Sequence, residues 1–284
     1  MFNVDPSVIR SICQQALAED MGSGDATTLA VVPKDAVIEA SFNTREDCVC
    51  AGLAVVETVF QLLDADCAVE GLVADGDFCP AGTVLAKIKG PAQAILTGER
   101  TALNFMQRLS GIATMARIYV DALGGSDTQI LDTRKTTPGL RLLEKYAVSA
   151  GGATNHRIGL YDRIMIKDNH RELASLEGPG GIGRAVAACR EKYPELEVEV
   201  EADTLEDVAE AAAAGADYIL LDNMSDETMM EAVKLVNGRS KLEASGGITL
   251  ERIPAIGQTG VDFISVGALT HSVKAIDIGL DIKL

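Results

Sequence analysis

Aromatic residues and positive charge are scarce in this sequence of 284 residues. Trp is absent, and aromatic residues together make up only 4% of the chain. The core must therefore be built from Ala, Val, Ile and Leu, as in sheets that helices cover. Lys and Arg number 25 against 42 Asp and Glu, a formal net charge of −17. We expect no general affinity for nucleic acid or for anionic membranes.

Targeting segments and metal-binding cysteine pairs are also missing. No stretch approaches the roughly 20 apolar residues of a membrane helix, and the N-terminal residues MFNVDPSVIR lack the basic and apolar regions of a signal peptide. None of the six cysteines forms a C-x-x-C pair, and the three histidines are scattered. We therefore expect no zinc site, reduced thiols and a cytoplasmic protein.

The first third of the chain mixes helical and strand patterns. Asp5 is a candidate N-cap for a helix over 6–20, because Pro6 stands at the first helical position. Further along, the patterns predict two strands, a helix, two short strands with glycine turns, and a long helix. These elements cover residues 36–43, 46–52, 53–65, 76–96 and 97–123.

The rest of the chain has a different rhythm, in which short apolar runs alternate with Ala-rich helical stretches. The runs are residues 129–133, 162–168, 196–202, 217–223, 241–247 and 262–268. This alternation indicates a parallel sheet, and so many units favour a closed or nearly closed α/β barrel. We predict one domain over 1–110, which a final strand within 272–284 joins, and a barrel domain over 111–271.

Polar or glycine residues end each of these apolar runs. They are Thr133, Arg134, Lys135, Lys167, Glu201, Asp222, Ser245, Gly246, Gly247 and Gly267. Because the strand ends of a parallel barrel meet at one mouth, where barrel enzymes assemble their sites, we predict a single pocket. Cations, two carboxylates and a glycine-rich lip would line it.

Five basic residues within this acidic chain favour an anion site. They are Arg134, Lys135, His156, Arg157 and Lys167. Arg binds carboxylate or phosphate through two parallel hydrogen bonds, and Lys supplies a point charge. The competing interpretation is a set of salt bridges to the many acidic residues.

Glu201 and Asp222 end consecutive predicted strands. Neighbouring carboxylates repel each other unless a cation lies between them, and such oxygen ligands suit Mg²⁺. The same pair would also stabilise a sugar cation in a transition state, whereas ordinary strand-end capping is the alternative. Glu197 and Glu199 alternate with valines, and we interpret both as outward-facing or shielded, with little functional weight.

Two glycine segments, 244–248 and 265–269, each follow a predicted strand and precede a predicted helix. Backbone N–H groups at such a point, aided by the helix dipole, bind phosphate, and the last two loops of a barrel are its usual phosphate site. A plain glycine turn is the alternative for either segment alone.

Long motifs carry a resemblance that spans nearly the whole chain. They are GDATT, REDCVCAGL, ERTALNFMQRLSGIAT, DTRKTTPGLRLLEKYAV, GGATNHRIGLYDRIMIKDNH, EADTLEDV, ILLDN, EASGGI and ISVGALTHS. The sequence resembles the quinolinate phosphoribosyltransferase family of type II phosphoribosyltransferases. The departures are small: Ala153 stands where the family usually has glycine, and Ala202 stands where valine is common.

The resemblance implies an α/β protein with an N-terminal α/β sandwich domain and a C-terminal open α/β barrel of parallel strands. It implies a head-to-tail homodimer and a Mg²⁺-dependent pentosyltransferase of NAD biosynthesis. Quinolinate and phosphoribosyl pyrophosphate would give nicotinate mononucleotide, pyrophosphate and carbon dioxide.

The resemblance also implies roles for individual residues. Arg134, His156 and Arg157 would hold the quinolinate carboxylates, with Thr133, Lys135 and Lys167 nearby, and Arg100 would reach the neighbouring subunit's site. Glu201 and Asp222 would bind metal and stabilise the ribosyl cation, with Lys135 as a further catalytic residue. Ser245, Gly246, Gly247 and Gly267 would hold the 5′-phosphate.

Three rival functions remain open at this point. A related branch of the family accompanies molybdate transport. Lys167 within a barrel strand would suit a Schiff-base lyase, which borohydride would trap with a carbonyl substrate. A non-catalytic phosphosugar- or anion-binding protein is the third, although simple anion binding would not require the carboxylates of Glu201 and Asp222.

Overall fold

The computed structural model describes residues 2–178 and 180–283. The strands are β1 (Val37–Thr44), β2 (Cys48–Val49), β3 (Ala68–Gly71), β4 (Phe78–Cys79), β5 (Val84–Pro91), β6 (Gln129–Leu131), β7 (Ile164–Ile166), β8 (Val198–Ala202), β9 (Tyr218–Asp222), β10 (Lys241–Ser245), β11 (Phe263–Ser265) and β12 (Ile278–Lys283). The helices are α1 (Pro6–Met21), α2 (Ala26–Val31), α3 (Leu53–Leu63), α4 (Ala92–Ala122), α5 (Arg141–Ala150), α6 (Asp168–Ala174), α7 (Gly181–Lys192), α8 (Leu205–Ala213), α9 (Asp226–Val236), α10 (Ile253–Ile256) and α11 (Ala268–His271). Short 3₁₀ turns cover Ser175–Glu177 and Leu250–Arg252.

The chain divides into two compact units. The first consists of Met1–Arg117, Lys135–Ala153 and Ala268–Leu284, and the second of Ile118–Arg134 and Thr154–Gly267. Each unit is a group of residues that lie close together in space, although they come from separate stretches of the chain. The division expected from sequence, 1–110 and 111–271, stays a prediction.

The first unit is built on a four-stranded antiparallel sheet in the order β12-β1-β5-β3, with β2 and β4 paired separately. Helix α3 packs on β3, and α1 packs on α3. The rings of Phe42 and Phe60 lie 6.2 Å apart, and both side chains are fully buried. At the start of α1, the Asp5 side chain accepts a hydrogen bond of 2.8 Å from the Ser7 N–H, so the predicted N-cap is confirmed.

One element of the first third differs from its prediction. Residues 92–96 were expected to belong to a strand, but they form the first turns of α4. Pro91 ends β5, and the buried Ile95, Leu103 and Met106 follow at helical spacing. The long helix therefore begins five residues before Thr97, because its apolar face packs in the core and overrides the local alternation.

The second unit contains a six-stranded sheet in the order β6-β11-β10-β9-β8-β7, and every neighbouring pair is parallel. Because β6 and β7 stand at opposite ends of this order, the sheet is the expected open α/β barrel. In β8, Val198 and Val200 alternate with Glu199 and Glu201, so the two sets occupy opposite faces of the sheet. Across the described ranges, no helix combines the length and apolarity needed to cross a bilayer.

Candidate active site

The polar strand ends of the second unit lie at one edge of its parallel sheet. Lys167 follows β7, Glu201 lies in β8, Asp222 ends β9, and Ser245 stands beside Asp222 in the register of β10 with β9. Thr133 and Arg134 follow β6, and Gly267 follows β11. Arg100 and Lys135 belong to the first unit, and their part in the site stays a prediction.

Lys167 and Glu201 form an ion pair across the ends of β7 and β8. The Lys167 Nζ lies 2.5 Å from the Glu201 Oε2, and the side chains are 47% and 12% exposed. A short charge-assisted contact of this kind is among the stronger polar interactions in proteins. The glutamate that was predicted to bind metal is therefore neutralised by the lysine that was predicted to bind substrate.

Asp222 lies within the electrostatic reach of Glu201. Burial and then the Glu201 carboxylate raise the pKa of Asp222, and the Asn223 side-chain amide opposes them by donating a hydrogen bond of 2.8 Å. A carboxylate whose charge is destabilised by a neighbouring carboxylate favours a cation beside it, and the two groups together offer oxygen donors for a hard dication. Mg²⁺ is commonly held by one or two carboxylates together with water and substrate phosphates, so this pair fits it.

Arg134 and Arg157 bring two positive charges together on the same side of the site. Burial and then the positive charge of Arg134 lower the pKa of Arg157. The Arg157 Nη1 donates a hydrogen bond of 3.0 Å to the Arg163 backbone carbonyl, which fixes its direction. Two half-buried guanidinium groups within electrostatic reach of each other would suit a dianion, because an anion between them would relieve the repulsion.

The segment that carries Arg157 is fastened to the end of β6. The Thr154 N–H donates to the Ile130 carbonyl at 2.8 Å. The buried Asp132 carboxylate accepts hydrogen bonds of 2.8 Å from the Asn155 side chain and from the His156 N–H. These bonds hold a stretch without regular structure in one conformation, so that Arg157 has a defined position beside the strand ends.

His156 points into the interior of the second unit. Its Nε2 lies 3.1 Å from the Glu199 Oε2 and 3.3 Å from the Glu243 Oε2, and all three residues are buried. Burial lowers the pKa of the His156 imidazole, but the two carboxylates more than offset this and raise it to about 9. Burial and then the Glu243 carboxylate also raise the pKa of Glu199.

Glu197 and Glu199 were expected to be outward-facing or shielded, and the structure gives one of each, while their small functional weight stays a prediction. Glu197 has a side chain that is 55% exposed, whereas Glu199 is completely buried and faces His156. Strand parity separates the two outcomes: Glu199 lies two residues before Glu201 and therefore on the same face of the sheet. Glu243 has the same relation to Ser245 in β10.

The glycine segment after β10 contains a close contact that only glycine allows. Gly246 has a φ of +83°, and a Cβ there would lie 2.4 Å from the Asn223 Oδ1. Asn223 itself has a φ of +54° and donates its N–H to the Ser245 carbonyl at 2.9 Å. Asn223 thus connects Asp222 to the predicted phosphate segment Ser245–Gly247, a role that the sequence patterns did not reveal.

The helices that follow the two glycine segments are short. Both α10 and α11 have four residues, so the macrodipole on which the phosphate prediction partly relied is small. Gly246 and Gly247 both adopt a left-handed backbone. Backbone N–H groups in such turns form anion-binding concavities without a long helix.

Comparison with known proteins agrees with this geometry. The family model described as the N-terminal domain of quinolinate phosphoribosyl transferase matches residues 25–110, and the model of its C-terminal domain matches residues 112–281. A probable nicotinate-nucleotide pyrophosphorylase [carboxylating] of Bacillus subtilis is 46% identical over 97% of this chain and 94% of its own. The chloroplastic nicotinate-nucleotide pyrophosphorylase [carboxylating] of Arabidopsis thaliana is 46% identical over 96% of this chain and 82% of its own.

Solved structures extend the likeness to three dimensions. The NadC structure from Streptococcus pyogenes superposes with a TM-score of 0.93 at 42% identity and covers 100% of both chains. The nicotinate-nucleotide pyrophosphorylase from Francisella tularensis gives a TM-score of 0.93 at 40% identity, over 99% of this chain and 98% of its own. This chain therefore belongs to the quinolinate phosphoribosyl transferase family.

Proposed function

We propose that this protein transfers the phosphoribosyl group of phosphoribosyl pyrophosphate to quinolinate and releases pyrophosphate and carbon dioxide. The product is nicotinate mononucleotide, a precursor of NAD, and the activity is that of a nicotinate-nucleotide diphosphorylase (carboxylating). The observation that carries this proposal is the pairing of Arg134 with Arg157 at the sheet edge that also holds Glu201 and Asp222. The two arginines would bind the carboxylates of the acceptor. The two acidic residues would stabilise the positive charge on the ribosyl carbon.

The acceptor would be held by its charge. Arg134 and Arg157 would each bind a carboxylate of quinolinate, and His156 would stand beside them. Thr133 and Lys167 would contact the same substrate, and Lys135 is assigned to it by the family resemblance. Each charge-assisted hydrogen bond contributes about 1.5–3 kcal/mol, so two arginines bind a dianion firmly even against water.

The donor, phosphoribosyl pyrophosphate, would be held across the strand ends from the acceptor. Ser245, Gly246, Gly247 and Gly267 would bind the 5′-phosphate through backbone and hydroxyl groups. Glu201 and Asp222 would hold Mg²⁺, which neutralises the charge of a pyrophosphate leaving group. The same two carboxylates would stabilise the positive charge that develops on the ribosyl carbon.

Loss of carbon dioxide follows from the product of the transfer. Once ribose is bonded to the pyridine nitrogen, the ring is cationic, and the carboxylate next to that nitrogen leaves as carbon dioxide. The electron pair of the broken bond stays on the ring carbon, where the adjacent positive nitrogen stabilises it until a proton is added. The protein's contribution is to position the acid and to exclude water, and we assign Lys135 to this catalytic neighbourhood.

We further propose a homodimer in which Arg100 is supplied to the neighbouring subunit's site, and a location in the cytoplasm. The cysteines support the second point, because all six are free thiols and five are buried. Plant relatives carry names that place them in chloroplasts or mitochondria, so the compartment differs among members of the family.

Release of labelled carbon dioxide from quinolinate tests the proposal directly. We expect release only when phosphoribosyl pyrophosphate and Mg²⁺ are both present, together with an equal amount of nicotinate mononucleotide. Addition of EDTA should stop the reaction, and excess Mg²⁺ should restore it. Tight quinolinate binding without any carbon dioxide release would instead indicate a binding protein or the molybdate-associated branch of the family.

A further inference from the structure

Two buried carboxylates form a layer directly beneath the candidate site. Glu199 in β8 and Glu243 in β10 are both 0% exposed, and each stands two residues before a site residue of its strand, Glu201 and Ser245 respectively. Residues two apart in a strand share a face, so the pair lies one layer deeper in the barrel. Barrel interiors are normally filled by branched apolar side chains, which makes this charged layer unusual.

The imidazole of His156 lies between these carboxylates and the site. Its Nε2 is 3.1 Å from Glu199 and 3.3 Å from Glu243, and its backbone N–H donates to Asp132 at 2.8 Å. Its Nδ1 accepts a hydrogen bond of 2.6 Å from the Arg157 N–H. The ring thus connects the buried carboxylates to the residue that carries the guanidinium group.

Stability alone does not account for the two glutamates. Within the described residues, none of their four carboxylate oxygens receives a well-aligned hydrogen bond, and the Arg163 guanidinium lies 3.7 Å from Glu199. Burying carboxylates with so little compensation destabilises a fold, and apolar side chains of similar volume are often neutral or better. Their presence therefore calls for a role in holding His156.

A metal ion is the competing explanation, because one ligand atom from each of the three residues lies within 4.8 Å of the others. The Arg157 N–H argues against it. A histidine that binds metal through Nε2 normally carries its proton on Nδ1 and donates from there. Here the Nδ1 of the neutral ring accepts from the Arg157 N–H, so the proton of that ring lies on Nε2 and faces the carboxylates.

We propose that Glu199 and Glu243 are positioning residues that act through His156 to set the Arg157 main chain, and hence its guanidinium group, at the place where a substrate carboxylate is met. The two glutamates touch no substrate. This inference rests on the proposed function only for the identity of that substrate, since the positioning of His156 and Arg157 is a property of the free protein.

The kinetic test uses Glu199→Gln and Glu243→Gln as two separate variants, so that poor folding of one leaves the other as a test. Each keeps the shape of the side chain and removes its charge. We expect the KM for quinolinate to rise about tenfold, while the KM for phosphoribosyl pyrophosphate stays within about twofold and the melting temperature is unchanged or higher. Glu197→Gln is the matched control on the same strand, and its kinetic constants should equal those of the wild type.

A second readout does not depend on turnover. The chain has only three histidines, so their imidazole ¹⁵N resonances are few, and His170→Asn and His271→Asn variants assign them. Spectra recorded above the His156 pKa of about 9, where the ring is neutral, should show the Nε2–H tautomer in the wild type. We expect a shift of this signal in both Gln variants and no shift in Glu197→Gln. A wild type that shows this pattern but releases no carbon dioxide would contradict the proposed function and leave the positioning role standing.

Three results would overturn the inference. The first is a His156 signal and a KM for quinolinate that are both unchanged in the Gln variants. The second is an equal loss for both substrates accompanied by a lower melting temperature, which would indicate a structural role alone. The third is a stoichiometric metal ion in the purified wild type that both variants lack, which would make the three residues a metal site.

Discussion

The Lys167 ammonium lies 2.5 Å from the Glu201 carboxylate, across the ends of β7 and β8. This contact places the lysine next to a negative charge and leaves 47% of its side chain exposed. Schiff-base lysines lie instead in apolar pockets or beside other cations, where the neutral amine is favoured. The environment of Lys167 therefore favours a charge-based role over covalent catalysis.

Borohydride trapping checks this conclusion. We expect no covalent adduct at Lys167 when the protein is reduced in the presence of quinolinate or of phosphoribosyl pyrophosphate, as judged by intact mass. Lys167→Met should lower kcat/KM by about 10–100-fold, because one charge-assisted contact of about 1.5–3 kcal/mol is lost. An adduct that forms in the wild type but not in Lys167→Met would support the Schiff-base lyase instead.

Arg134→Ala should remove useful quinolinate binding with little loss of fold stability. One partner of the guanidinium pair would be missing, so we expect the Kd for quinolinate in calorimetry to rise by about 10²-fold. The melting temperature should stay close to that of the wild type. Arg190→Ala is a suitable control, because Arg190 makes its ion pair with Asp217, outside the proposed site. Normal turnover in Arg134→Ala would refute the carboxylate role.

Gly246→Ala should disrupt the phosphate segment through a steric clash. The new Cβ would lie 2.4 Å from the Asn223 Oδ1, in addition to the strain of about 1–2 kcal/mol that a left-handed backbone imposes. Gly215→Ala separates the two effects, because Gly215 has a φ of +80° and nothing within 4 Å of its Cβ position.

We therefore expect Gly246→Ala to raise the KM for phosphoribosyl pyrophosphate. Gly215→Ala should leave this KM unchanged and lower the free energy of unfolding only by the backbone strain. Adding Asn223→Gly should partly restore the Gly246→Ala variant, since it removes the atom that clashes. Identical behaviour of the two alanine variants would show that the contact with Asn223 has no consequence.

The cysteines should react slowly in the folded protein. Burial raises the pKa of the Cys13, Cys67 and Cys79 thiols to about 11, and that of Cys50 further. In the folded protein, Ellman's reagent at pH 8 should modify at most Cys189, which is partly exposed, whereas the other five cysteines are buried. After unfolding, all six cysteines should react. A Cys189→Ser variant should then show almost no reaction in the native state.

The same shifts predict loss of stability in alkali. The unfolded chain releases thiol protons near the ordinary pKa of 9.0, whereas the folded chain retains them to about 11. The buried thiols therefore stabilise the fold below pH 9, and this contribution is lost as the pH rises through the folded values. Urea unfolding between pH 8 and pH 11 measures this, and a flat profile would contradict it.

Mixed dimers test the proposed contribution of Arg100. Arg100→Ala and Lys135→Ala should each be inactive as pure proteins. If Arg100 is supplied by the neighbouring subunit, a dimer that combines the two variants contains one intact site and should recover up to about half of the activity per mole of site. No recovery in dimers whose mixing has been verified would count against a shared site.

The sequence by itself determined the larger features of this protein. Alternating apolar runs and Ala-rich stretches fixed a parallel sheet with helices, since a strand buried on both faces needs a continuous apolar sequence. Polar residues at the ends of those runs located the candidate site, because parallel strands end on one side of the sheet. Asp5 before Pro6 was enough to place the start of α1, since capping is a local interaction.

Only the tertiary structure decided how those residues act on one another. The first turns of α4 depend on core packing around Ile95, and local alternation pointed the other way. Asn223 adopts its left-handed backbone beside a segment more than twenty residues away in sequence. The approach of Glu199 and Glu243 to His156 joins three distant segments, and a charge that is buried in this way looks the same in sequence as one on the surface.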